Sequence, residues 1–350
     1  MKGSIRIPEY RSAGEWLVTA RTYLVDRGLP KVERIFLPPA VFPQGDLTVS
    51  LSNSEEVAKS QNLRRRQKIA ARIIGEKKAV SISENFIVDF RSHYPSNWSH
   101  SLNNHLPLAY CLKNMLAEFD PSIKFDLLFD EQVPNYIVDL FEYFGFSCLR
   151  YSGPVIGKFY NYELQPFASI NAKGREILRD NVIENREHAE LYEAPKNLPS
   201  KIFISRKDTR KLVNEHEVEE FLSAQGYTKI YAEDFTIQDQ LRLFIHSTNI
   251  VAIHGAALAP LFFRPESAPT LNLVELFTAG HLSSHFRAMA DQIDANWVGV
   301  RGYIEPGMIK SAYDYKKPFV NYSLSPFKVD IESLKTAFAI QSGSGIDLPS

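Results

Sequence analysis

The chain has 350 residues, enough for two domains and short of three. Hydrophobic residues make up 44% and charged residues 23%, an ordinary globular balance that excludes a mostly disordered or collagen-like chain. The formal net charge of −1 gives no bulk attraction to nucleic acid, and the two cysteines, Cys111 and Cys148, exclude a disulfide framework.

The N-terminal residues Lys2, Arg6, Pro8, Glu9 and Arg11 have no apolar stretch behind them, so no signal peptide is expected. Ile35 to Leu37 reads as a strand. Residues 63–74 mix Arg64, Arg65, Arg66, Lys68 and Arg72 with Leu63, Ile69, Ile73 and Ile74, which predicts a basic amphipathic helix. It is either a solvated face or a peripheral contact with an anionic membrane. Phe86 to Phe90 predicts a strand, Leu102 to Phe119 a helix, and Phe125 to Phe129 another strand. A helix opens at Pro134 and stops at Gly145, and Phe146 to Tyr151 follows as a strand. Residues 171–199 are charged and end in Pro195 and Pro199, the composition of a linker.

The second half is more regular. Lys201 to Ser205 predicts a strand; Asn214 with Glu217 has the spacing of a capping box and opens a helix that stops at Gly226. Tyr227 to Tyr231 is the next strand, Thr236 the next N-cap, and Leu241, Phe244 and Ile245 make a helical apolar stripe. Asn249 to Ile253 and Leu271 to Leu276 are further strands, with a helix expected after His254-Gly255-Ala256-Ala257. Alternation at this spacing is the mark of βαβ units and a parallel sheet. The longest nearly apolar run, 250–263, falls short of the ~18 residues of a membrane helix, and a cytosolic chain is expected. The domains predicted are an α/β domain over 1–170, a linker over 171–199, a second α/β domain over 200–325, and an extension with tail over 326–350.

Open parallel sheets bind ligands at the carboxyl ends of their strands. Ser205 ends a strand and delivers Arg206 and Lys207. The guanidinium fork suits a phosphate, though a solvated basic turn would read the same way. His254, Gly255, Ala256 and Ala257 lie between a buried strand and a helix start, where small residues admit a ligand to free backbone N–H groups; close helix packing is the alternative. Glu275 is a carboxylate in an apolar strand and needs a partner, either a ribose diol or a neighbouring arginine. His100 and His105 flank a loop-to-helix junction, as general bases or as structural hydrogen-bonders. His281 and His285 are four apart with no third metal ligand near them, so no metal site is expected. The GxxxxGK[ST] and GxGxxG spacings are both absent.

Several of these segments together resemble glycosyltransferase family 61. They are Lys201 to Asp208, Asn214-Glu215, Gln240 to Phe244, His254 to Leu258 and the strand ending at Glu275. Asn97-Trp98-Ser99-His100 with Leu106-Pro107 resembles that family's N-terminal motif. The resemblance implies a GT-B fold, two Rossmann-like α/β/α domains facing across a cleft, and an inverting, metal-independent transferase with no cofactor. It implies a nucleotide-sugar donor, usually a UDP-sugar, held by Ser205, Arg206 and Lys207, by the His254–Ala257 turn and by Glu275. The acceptor would be a saccharide or lipid-linked saccharide, in surface or capsular polysaccharide synthesis at the cytoplasmic face of the inner membrane. Ala257 and Pro260 stand where the family commonly has Gly and Asn, and Asn104 stands where it often has Asp. His100 is therefore the expected base, with His105 second. The rival readings are a non-catalytic nucleotide- or sugar-binding protein on the same fold and a nicotinamide-dependent oxidoreductase.

Overall fold

The computed structural model describes residues 2–13, 16–21, 32–52, 54–58, 78–193, 198–303 and 323–343. The helix expected over 63–74 lies outside them. The chain forms two compact units: Met1–Tyr10 with Phe42–Glu184, and Arg11–Val41 with Asn185–Ser350.

The second unit is built on a seven-stranded sheet. Its order is Thr228–Tyr231, Lys201–Ser205, Asn249–Ile253, Asn272–Phe277, Asn296–Arg301, Trp16–Arg21, Val32–Leu37. All neighbours are parallel except the last pair. Strands such as Asn249–Ile253 are covered on both faces, so they read as unbroken apolar runs. Helix Ile237–His246 buries Leu241, Phe244 and Ile245 and is capped by Thr236, whose Oγ1 accepts from the Asp239 N–H at 3.1 Å.

Three expectations are corrected in this unit. Helix Glu215–Ser223 starts after Asn214 as expected, but that side chain does not cap it. It reaches Val329 instead, donating to its carbonyl at 2.8 Å and accepting from its N–H at 3.0 Å. The segment after Gly255 is a 3₁₀ helix, Ala256–Phe263, with Pro260 inside it. Of the extension expected over 326–350, the described part, 326–343, belongs to the core: helix Ile331–Gln341 buries Leu334 and Ala337, and Thr19 Oγ1 donates to the Ser333 carbonyl at 2.8 Å.

The first unit holds a three-stranded parallel sheet in the order Cys148–Arg150, Phe125–Phe129, Phe86–Asp89. An antiparallel sheet, Lys2–Ile7, Gly45–Leu51, Tyr160–Gln165, accompanies it. The predicted helix 102–119 divides into a π-helical turn, Ser101–His105, and an α-helix, Leu106–Phe119. The segment 171–199 is not a plain linker in its first half. Asn171–Leu178 is an α-helix of this unit, with Leu178 and then Val182 buried. Its charges lie on one face of an amphipathic helix, a pattern that composition alone conceals. The mixed α/β class read from the sequence is the class of the structure. Among the described residues no helix is long and apolar enough to cross a membrane.

Candidate functional site

The order of strands in the second unit reverses at Lys201–Ser205. The chain first steps outward to Thr228–Tyr231, then returns to place Asn249–Ile253 on the other side. The carboxyl ends of these two neighbours flank the crevice where sheets of this kind take ligands. Arg206 leaves one strand there and His254-Gly255 leaves the other.

Gly255 has φ +158° and ψ −175°, a region that glycine alone enters freely. A Cβ at this position would run into Nη1 of Arg206 and lie 3.2 Å from Nη1 of Arg210. Both guanidinium groups therefore gather over the bare backbone of the turn. Arg206 is held by its Nε donating to the Thr209 carbonyl at 3.1 Å. Arg210 donates from Nη1 to the His254 carbonyl at 2.9 Å and from Nε to the Ser323 carbonyl at 2.6 Å. Neither makes an ion pair among the described residues. Burial lowers both guanidinium pKa values from their ordinary range, and Arg206 lowers that of Arg210 further. Two crowded like charges beside the first N–H groups of the Ala256–Phe263 helix are an arrangement suited to an anion.

Lys207 points elsewhere: its ammonium is paired with Asp234 and lies 4.9 Å from the Tyr231 ring centroid. Ser205 is buried, and its hydroxyl donates to Glu215 Oε1 at 2.5 Å. Glu275 is corrected outright. It is 0% exposed, and both oxygens are occupied, Oε1 by Nδ1 of His254 at 2.5 Å and Oε2 by Nε1 of Trp297 at 2.8 Å. It fixes the ring of His254 and, being fully buried, presents no surface to a ribose. On the same strand end, Thr278 is 3% exposed and its hydroxyl has no partner among the described residues. His281 packs edge-on to His254 with centroids 5.4 Å apart; burial, helped by His254 and Arg210, pushes its pKa down to about 4.

In the first unit, Asn97 caps the turn that carries His100, accepting from the N–H groups of Ser99 and His100. Nδ1 of His100 lies 3.1 Å from Oδ1 of Asn104. An amide oxygen only accepts, so this contact is made with Nδ1 as its donor. Asn104, the residue that departs from the family pattern, is thus the side-chain partner of His100. Its Nδ2 has no partner among the described residues. His105 is a different case: 0% exposed, with its two ring nitrogens 3.2 and 3.3 Å from the carbonyls of His100 and Ser92. Burial pushes its pKa down to about 3 against the pull of those carbonyls. It is a structural residue, not the second base.

The loop before this turn is held in an unusual form. His93 and Tyr94 both have positive φ, 58° and 60°. Each such non-glycine residue costs on the order of 1–3 kcal/mol and persists only where its surroundings enforce it. Here His93 stacks on Phe167 at 4.4 Å and 11°, and Tyr94 on His100 at 5.5 Å and 25°.

The profile described as Glycosyltransferase 61 matches residues 95–271, half of the chain. The chain belongs to glycosyltransferase family 61. Within this family 61 member the matched span contains His100, Asn104, Arg206, Arg210 and the Gly255 turn, drawn from both units, and stops short of Glu275. Among solved structures, one described as E. coli heptosyltransferase WaaC with ADP is similar at 11% identity. The similarity covers 62% of this chain and 93% of that one, with a TM-score of 0.30. No curated protein matches the family 61 chain.

The His93-Tyr94 pair was not singled out from the sequence; Asn104 was marked as a departure from the family pattern, and Arg210 only as a neighbour of Arg206. Arg210 sits in a basic cluster that was visible, but its approach to Gly255 depends on a contact across 45 positions. The pair at 93 and 94 carries no glycine to announce a left-handed backbone.

Proposed function

We propose that this family 61 glycosyltransferase is an inverting, metal-independent enzyme that moves a sugar from a nucleotide diphosphate, of the UDP class, to a saccharide acceptor of a surface polysaccharide. The observation that carries this reading is the pair of guanidinium groups, without carboxylate partners among the described residues, over the Gly255 turn at the strand-order reversal. A diphosphate placed there meets two forked donors and the helix N-terminus, the charge that a divalent ion would otherwise supply.

The chemistry follows in one displacement. His100 Nε2 takes the proton from the acceptor hydroxyl as its oxygen bonds to the anomeric carbon. The bond from that carbon to the diphosphate breaks, and its electron pair leaves on the phosphate oxygen. Arg206, Arg210 and the backbone N–H groups of Ala256 and Ala257 stabilise the departing charge, and attack from the opposite face inverts the centre. Asn104 Oδ1 accepts from Nδ1 of His100 and orients the ring, so that Nε2 faces the acceptor in this reading. That role weakens the non-catalytic reading, which was motivated by the missing carboxylate at this position.

The test is a panel of nucleotide-sugars screened by thermal shift and then by transfer, with and without chelator. Stabilisation by UDP and its sugars, unchanged by chelator, is expected. Equal stabilisation by free nucleosides, or loss of binding on chelation, would overturn the reading.

A further inference from the structure

The loop over 92–97 is fastened to the π-helical turn Ser101–His105 at two points. The Ser92 carbonyl lies 3.3 Å from Nε2 of His105, and the Pro95 carbonyl accepts from Ser101 Oγ at 3.0 Å. Between these points the chain passes through His93 and Tyr94, both at positive φ. The Tyr94 carbonyl accepts from the Asn97 N–H at 3.0 Å, and Asn97 caps the turn that carries His100. None of these fastenings uses the Tyr94 side chain. The residue is 75% exposed, so its burial adds little to the core, yet its ring lies on the imidazole of His100 with centroids 5.5 Å apart. Strain kept under an exposed side chain points to a use other than packing. Tyr94 also stands one residue ahead of the span that the family profile matches.

We propose that Tyr94 is a positioning residue for His100: its ring backs one face of the imidazole, limits its rotation, and steadies the positive charge that the imidazole acquires with a proton. Asn104 Oδ1 already holds the Nδ1 edge at 3.1 Å, so a face and an edge of the ring are both fixed while Nε2 lies on the other edge. The face of an aromatic ring is electron-rich and attracts a cation within about 6 Å of its centroid. A neutral imidazole gains less from that face than a protonated one. The contact therefore strengthens as His100 takes a proton. The other titratable groups of the cluster act in the opposite sense. His93 and His105 are histidines close to His100, and a like charge on any of them opposes protonation of the others. The consequence for the rate rests on the reading of His100 as the base; the effect on the imidazole does not.

The experiment follows the His100 ring by NMR in the full chain labelled at histidine, with its signal assigned by its loss in His100→Ala. Tyr94→Ala and Tyr94→Gly should lower the titration midpoint of His100 by about 0.4–0.7 pH unit, the effect of losing an exposed cation–π contact. Tyr94→Phe keeps the ring and should titrate as the wild type does. Transfer is measured from the UDP-sugar that stabilises the chain to the methyl pyranosides of glucose, galactose and xylose. In the Ala and Gly variants kcat should fall at least about twofold, with the acceptor KM unchanged. The acidic limb of the rate should move to lower pH with the midpoint. Tyr94→Gly also relieves the backbone at φ 60°, so its thermal midpoint should match or exceed that of the wild type. A chain no less stable and yet slower has not lost its rate by unfolding. An unshifted His100 midpoint, a raised acceptor KM at unchanged kcat, or a loss of stability in Tyr94→Gly would overturn the proposal. If His100→Ala transfers sugar at the wild-type rate while the midpoint shifts as stated, the base reading fails and the contact stands. An inactive His100→Ala with an unshifted midpoint in the Tyr94 variants removes this proposal alone.

Discussion

A guanidinium nitrogen of Arg206 occupies the space where residue 255 would place a Cβ, so the two positions make one device. Gly255→Ala must expel Arg206 and also strain its own backbone. It is expected to lose as much affinity for a nucleoside diphosphate as Arg206→Ala, and the double variant little more. Calorimetric titration of UDP into the four proteins of the cycle reads the coupling; simple additivity would refute it.

Arg206→Ala is expected to weaken UDP binding by roughly 1.5–3 kcal/mol, the worth of a hydrogen bond to a charged group. Arg206→Lys recovers part of the loss, since a point charge replaces a fork. Uridine should bind all three proteins alike. Equal losses for uridine would mean that Arg206 supports the fold and not the phosphate.

His100→Ala should retain UDP binding, because the Arg206–Gly255 device belongs to the other unit, and lose ~10²–10⁴ in acceptor-dependent kcat. Asn104→Asp puts a carboxylate against the imidazole and stabilises its charged form. The acidic limb of the rate profile then moves to higher pH than in the wild type, and Asn104→Ala lowers kcat with little change in donor affinity. A profile of unchanged position in Asn104→Asp would separate the two residues functionally.

Glu275→Gln should leave the preference for UDP over 2′-deoxy-UDP unchanged, since both carboxylate oxygens are turned inward to His254 and Trp297. A selective fall in UDP affinity, with 2′-deoxy-UDP unaffected, would return Glu275 to the ribose.

His105 gives a stability prediction with a definite sign. Its folded-state pKa is about 3, below the ~6.5 of an unfolded chain. Between these values the unfolded state binds the proton and the folded state does not, so stability falls as pH drops from 6.5 towards 3. The slope from this one group is up to about 1.4 kcal/mol per pH unit. Urea unfolding of wild type and His105→Gln at pH 7, 6 and 5 should show the shallower dependence in the variant; parallel curves would contradict the assignment.

The strands of the parallel sheet were legible because burial on both faces writes itself as an uninterrupted apolar run, as in Asn249–Ile253. The Thr236 cap was legible because its partner is three residues away. What escaped depends on distant contacts. Asn214 prefers the backbone of Val329, 115 positions on, to the helix end beside it. Glu275 was marked as needing a partner, and the partner is His254, which had been assigned to a ligand. Arg206 and Gly255 were each found by local chemistry, but their interlock follows only from the pairing of their two strands. Val32–Leu37 was foreseen in part as a strand, with nothing local to assign it to the later half of the chain.

That last placement has a consequence for how the protein is made. Strand Trp16–Arg21 leaves the ribosome about 280 residues before its parallel neighbour, Asn296–Arg301. Until then the early pair of strands Trp16–Arg21 and Val32–Leu37 has nothing of its own sheet to dock on. A C-terminal fragment beginning at Asn185 would contain the whole phosphate device and still emerge with strand Asn296–Arg301 as a bare sheet edge. Co-expressing residues 11–41 with such a fragment supplies the missing hairpin in trans.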